Sequence, residues 1–208
     1  MRYGCFEKDL CMKKILFYIT LLLSTNIAVR GQEDPGLKKR LDVFLEANQQ
    51  LDFEKIMDFT YPKIFSLVPR EQLTEFMKSA FNTPELTIRM DSLKIIRIHP
   101  VFSMGGASYA KVNYSMLLFM TPHGEEKDVE KDQEAGRAVA DGMKQQFGAE
   151  NVSYDSSTNT IRIYNRADMI AVKDELSKDW SFLNLRNSDP IMEKLFPADV
   201  LKQLSTYQ

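Results

Sequence analysis

Residues 107–120 read "ASYAKVNYSMLLFM", and the period of that stretch decides the fold. Ala110, Val112, Tyr114, Met116, Leu118 and Met120 fall in one row at the spacing of two that an extended chain imposes. Leu117 and Phe119 lie in the opposite row, so both faces carry apolar side chains. A strand of that character belongs inside a sheet, flanked on both edges.

Its neighbours upstream keep the same period. "LTIRM" (86–90) alternates Leu86, Ile88 and Met90, and "LKIIRIH" (93–99) resumes the pattern with a slip of parity at Ile95–Ile96. One extra residue of that kind is what a β-bulge inserts, and bulges bend sheets. "MGG" (104–106) marks a turn into the long strand. The expectation is a strongly bent, mostly antiparallel sheet.

Ahead of the strands the period is helical. In "GLKKRLDVFLEANQQLD" (36–52), Leu37, Leu41, Phe44, Leu45 and Leu51 fall mostly on one stripe. "DFEKIMDFTYPKIF" (52–65) offers Asp52 as a cap, and Pro62 should end the helix near Tyr61. "PREQLTEFMKSAFN" (69–82) predicts a third helix, with Leu73, Phe76, Met77, Ala80 and Phe81 as its apolar stripe.

Downstream, residues 121–150 interrupt the sheet. "GEEKDVEKDQE" (124–134) reads as a solvated loop, and "EAGRAVADGMKQQFG" (134–148) as a helix closed by Gly148. "NVSYDSSTNTIRIYN" (151–165) predicts a hairpin around Ser156–Asn159. "ADMIAVKDELSKDWSFLNL" (167–185) reads as a further strand, a polar turn and a closing strand carrying the sole tryptophan. On it Trp180 and Phe182 share one face, and Leu183 and Leu185 the other. "SDPIMEKLFP" (188–197) then predicts short terminal helices, with Asp189 as cap and Pro190 in the first turn.

The N-terminus points to export. From Met12 the chain runs "MKKILFYITLLLSTNIAVRGQ": a basic pair, an apolar core at Ile15–Leu23, and small or polar residues before Gln32. That layout predicts a signal peptide over residues 1–31, cleaved near Gly31, with 1–11 as an upstream extension of Met12. The apolar run is shorter than the ~20 residues a spanning helix needs. Both cysteines, Cys5 and Cys11, precede it, so the remaining domain (32–208) would hold together through its core and not through disulfides. The expected location is secreted or periplasmic.

Charge excludes some partners. The first 31 residues hold five of the 27 basic and two of the 29 acidic residues, leaving 22 against 27 and a net of about −5. No basic run marks a nucleic-acid partner. Two distant histidines, His99 and His123, give no metal spacing, and neither a phosphate-cradling glycine loop nor GxSxG or HExxH appears. No cofactor is expected.

The order of elements resembles a family. "DFEKIMDFTYPKIF", "PREQL", "YAKVNYSMLLFM", "WSFLNL" and "LFPADV" are similar in spacing and character to the NTF2-like (SnoaL-like) cone, over residues 36–120 and 150–200. The helical insertion around 121–150 departs from it. The resemblance implies an α+β fold, with the N-terminal helices packed in the concave face of the bent sheet around a cone-shaped apolar pocket. It also implies an acid or histidine in that pocket where a member is an enzyme. Asp58 is the acid to test, Tyr61 and Tyr114 are candidate hydrogen-bond donors to a ligand, and Trp180 is a pocket wall or a core plug. The favoured reading is an exported non-catalytic module that binds a small apolar ligand or a protein partner through the cone or the outer sheet face. The alternative is a small cofactor-free enzyme, isomerase- or hydratase-like, using Asp58 with a tyrosine. Cover for the Leu117–Phe119 row would come from the 135–147 helix or from a second copy in a homodimer.

Overall fold

Each segment settles where its apolar row can be hidden. The computed structural model describes residues 34–123, 129–185 and 190–207; the signal-peptide reading and the Asp189 cap lie outside them. Residues 33–208 group into one unit.

Three helices lead. α1 (Pro35–Gln50) opens on Asp34, whose carboxylate accepts the amides of Gly36 and Leu37. α2 (Phe53–Phe59) is capped by Asp52 through the Lys55 amide, and Pro62 opens a 3-10 turn, Pro62–Ser66. α3 (Arg70–Phe81) buries Thr74 beside half-buried Leu73 and Met77. The predicted stripe on α3 is corrected here: Phe76 is 68 % exposed and Ala80 is also exposed.

The sheet is antiparallel, open and six-stranded. β1 (Leu86–Ile98) and β2 (Phe102–Met104) share one edge of β3 (Ala107–Pro122). Gly105 and Gly106, with φ of 60° and 83°, make the tight turn between β2 and β3, a geometry that costs a residue with a Cβ more. After β3 comes α4 (Val129–Phe147), then β4 (Val152–Asp155) and β5 (Thr160–Lys173). β5 pairs with β3 without a break from Ser108↔Lys173 to Met120↔Ile161. The other edge of β5 is shared by β4 and by β6 (Ser181–Leu185). α5 (Pro190–Leu195) and α6 (Ala198–Ser205) follow.

The register of β1 slips twice, between Asp91 and Lys94 and between Ile95 and Arg97. The second slip is the parity change visible in the sequence. The first is held by Ser92 at φ 52°. Three further expectations are corrected. Residues 167–173 continue β5 and are not a separate strand, Trp180 stands just before β6, and helix α4 already begins at Val129 inside the charged run.

Cover on the two faces differs. Helices α1–α3 meet Ala110, Val112, Tyr114, Met169, Ala171 and Phe182 on the inner face. α4 covers the same face further along, where Ala140 packs with Ile161, Ile163, Leu118 and Met120. Gly136 permits that approach, because a Cβ there would strike Asn159 Oδ1 and the Tyr154 hydroxyl. On the outer face, α5 and α6 bury Tyr109, Ile170 and Val172 under Leu195, Phe196, Val200 and Leu204. Thus α4 covers the Leu118 row and leaves the Leu117–Phe119 row without it.

Trp180 is 1 % exposed and packs with Phe44 and Phe182 in the inner core. Its fluorescence should be blue-shifted and poorly quenched in the native state. Trp180→Ala should lower stability by about 3–5 kcal/mol in urea unfolding. Water-like emission, or a loss below about 1 kcal/mol, would contradict this packing.

Candidate functional site

At its centre, the space between the inner face and the helices is occupied by side chains. The Phe44 and Phe182 rings stack at 4.9 Å, and Phe59 lies 6.4 Å from Phe44. Trp180 Nε1 donates to Asp34 Oδ2 at 3.0 Å, while its carbonyl accepts from Arg40 Nε at 2.7 Å. Trp180 is therefore a core plug. Tyr114, 5 % exposed, donates its hydroxyl to Asn184 Oδ1 at 3.0 Å. Tyr61, 4 % exposed, donates to Asp174 Oδ2 at 2.7 Å and stacks on Phe196.

Electrostatics fix the state of that last pair. Burial, then the bond and charge of Asp174, push the Tyr61 phenol far above its ordinary value. Asp174 moves the other way. Burial would raise it, but bonds from the Ser177 amide, Tyr61, the Ser177 hydroxyl and the Leu176 amide outweigh burial and leave it lowered. A neutral phenol committed to an ionised carboxylate holds two segments together and has no proton to spare.

Asp58 is placed elsewhere. Its side chain is 66 % exposed and bonds Arg70 at 2.7 Å on the helical surface. The structure brings Tyr61, Tyr114 and Trp180 into the two cores and leaves Asp58 in solvent, so the four residues line no common cavity.

A polar cluster that the sequence did not single out lies on the outer face beneath α6. Lys111 Nζ meets Asp168 Oδ2 at 2.9 Å and the Tyr207 carbonyl at 2.8 Å. Asn113 donates to Asp168 Oδ1 at 2.6 Å and turns its own oxygen to His99 Nε2, also 2.6 Å. A carboxylate only accepts, so the amide orientation is set and His99 donates from Nε2. Every member has a partner, and the Tyr207 ring lies 5.0 Å from that of His99. The cluster ties the sheet to the C-terminal helix. Among the described residues no group of three or more His, Cys, Asp or Glu is placed to hold a metal ion.

Further along, no described helix covers the outer face. Its side chains follow from the register: Arg89–Phe119–Arg162, Asp91–Leu117–Tyr164, Lys94–Ser115–Arg166 and Arg97–Asn113–Asp168 lie across β1, β3 and β5. Leu117 and Phe119 are half-buried, Tyr164 is 36 % exposed, and Arg89, Lys94, Arg97, Arg162 and Arg166 are all exposed. The Arg89 guanidinium sits 4.2 Å above the Phe119 ring, and that of Arg166 sits 5.7 Å from Tyr164. Hydrogen bonds from Arg166 and then Ser115 hold the Tyr164 phenol below its usual value. The signal for these residues was present as arginines alternating with Ile88, Ile161 and Ile163, but it needs the register to become a surface.

Two clefts border the sheet. One, of about 690 Å³, lies between α1 (Lys38, Asp42, Glu46, Gln49) and the β1 bulge at Leu93–Ile95. The other, of about 400 Å³, lies where Gln146, Glu150 and Asn151 meet Tyr164 and Arg166. A scan against protein-family models finds no match along the chain, and a search of curated proteins finds none either.

Asp34 behaves like Asp174. Burial raises it, but the bonds from Trp180 and the Leu37 and Gly36 amides lower it further, to a net fall. Folded values below the unfolded one, about 3.9, mean that both groups stabilise the fold fully above that pH and lose the effect as pH falls from there through their lowered folded values. Asp174→Asn should therefore flatten the decline of stability below about pH 4, measured by urea unfolding across pH. An unchanged slope would show that Asp174 carries none of it.

Proposed function

We propose that this chain is an exported, non-catalytic binding module of the NTF2-like kind that engages a protein partner through the outer face of its sheet. Three helices ahead of an antiparallel α+β sheet with a bulged first strand support the NTF2-like reading, and the Met12–Gly31 pattern supports export. The observation that carries the choice of surface is the contrast between the two sides of β3. Phe44, Phe182 and Trp180 fill the inner side, while Leu117 and Phe119 on the outer side have no described helix over them. A filled interior weighs against a small apolar ligand. The solvent position of Asp58 and the committed hydroxyls of Tyr61 and Tyr114 weigh against the enzyme alternative.

A second copy on the same face is less favourable than a different partner, since five exposed cations would meet the same five. A photocrosslinking amino acid placed at Leu117 or Tyr164 in the native host should give a defined adduct with another protein. The same probe at Leu176, which is 62 % exposed in the turn after β5, should give none. Equal labelling at all three positions, or none at Leu117 and Tyr164, would overturn the proposal.

A further inference from the structure

We infer that the bare end of the outer sheet face is a docking surface for an acidic, extended segment of another protein. The inference rests on the outer-face reading above and adds the chemistry of the partner. Across the four rows stand Arg89, Lys94, Arg97, Arg162 and Arg166. The carboxylates among them are already engaged. Asp91 bonds Arg89 at 3.2 Å and the Ser92 amide at 2.6 Å, and Asp168 is held by Lys111 and Asn113. Among the described residues no carboxylate forms an ion pair with Lys94, Arg97, Arg162 or Arg166. Such an excess of cations on one patch of a chain with a net charge of −2 is complementary to an anion.

The arrangement fits a strand-like segment. Leu117 and Phe119 form a strip down β3, with cations on the β1 and β5 columns to either side. Rows repeat at about 6.8 Å along a strand, which is the distance between alternate side chains of an extended peptide. A segment lying along β3 turns every second side chain toward this face, so apolar residues in that facing set would lie over Phe119 and Leu117 and carboxylates over Ser115 and Asn113, against Lys94, Arg166 and Arg97. A second copy of this chain brings the wrong charge. A nucleic-acid strand needs a free ring face to stack on, and that of Phe119 is occupied by Arg89. A bilayer needs apolar side chains standing beyond the charges, whereas Leu117 and Phe119 are half-buried between them.

The test is fluorescence anisotropy of a fluorescein-labelled decapeptide whose alternate positions read Leu-Leu-Glu-Glu-Glu with Ser between them, titrated with the full chain, beside its counterpart with Lys in place of Glu. The Glu peptide should bind at least about tenfold more tightly than the Lys peptide, a difference of about 1.4 kcal/mol. Its binding should weaken several-fold from about 50 to about 300 mM salt. The double variant Arg162→Glu/Arg166→Glu should lose about tenfold in affinity, while Lys202→Glu on α6 should not. Circular dichroism of both variants should match the parent, because every replaced side chain is exposed. Absence of binding, equal binding of the two peptides, or indifference to the reversal would overturn the inference. So would tighter binding of single-stranded oligothymidylate or of phosphatidylglycerol vesicles than of the Glu peptide. A crosslinked adduct at Leu117 without peptide binding would sink the acidic class alone, whereas the loss of both would sink the surface itself.

Discussion

The pairing of β3 with β5 is the constraint on which the rest depends. Both are long, and their ladder runs unbroken from Ser108↔Lys173 to Met120↔Ile161. Strands of that length present two faces whose side chains alternate strictly, so cover must be found separately for each face and each end. On the inner face α1–α3 serve one end and α4 the other. On the outer face α5 and α6 serve only the end at Tyr109, Ile170 and Val172. Among the described residues the remaining quarter carries arginines and no helix, and that asymmetry is the source of the functional reading.

The closing end is tied by a few polar side chains that serve two elements at once. Asp34 caps α1 and also accepts the indole of Trp180, which fixes the entry to β6 against the first helix. Asp174 accepts from Leu176 and Ser177 within its own turn and from Tyr61 across the chain. The Tyr61 amide in turn bonds the Phe182 carbonyl, so the segment after α2 lies along the free edge of β6. Each bond is modest alone, on the order of 1 kcal/mol net. Together they place the large rings of Phe44, Phe182 and Trp180 so that they fill the interior.

Much of this was legible in the sequence because it depends on local period and local turn chemistry. The β3 rows, the slip at Ile95–Ile96, the Gly105–Gly106 turn, the Asp52 cap and the helix closed by Gly148 all announce themselves within a few residues. What was not legible depends on partners far along the chain. Phe76 and Met77 look alike on a helical wheel, and only the neighbouring sheet decides which one is covered. Asp58 is the acid to test in the sequence because it lies near the Pro62 break, and its burial depends on distant partners: the break turns Tyr61 inward and leaves Asp58 to Arg70. Lys111, Asn113 and Asp168 are polar residues on strands with no local pattern to single them out. They become a network only when the register sets Asn113 opposite Asp168 and α6 brings the Tyr207 carbonyl over Lys111.

The central claim is the unequal cover of the two halves of the outer face, and hydroxyl-radical footprinting read by mass spectrometry addresses it residue by residue. In the purified full chain, Tyr164 and Phe119 should be modified readily, while Tyr109, at 6 % exposure, and Trp180, at 1 %, should be protected until the protein unfolds. Protection of Phe119 and Tyr164 equal to that of Tyr109 would mean that something covers the face, and ready modification of Trp180 would mean that the interior is open; either result would contradict the account.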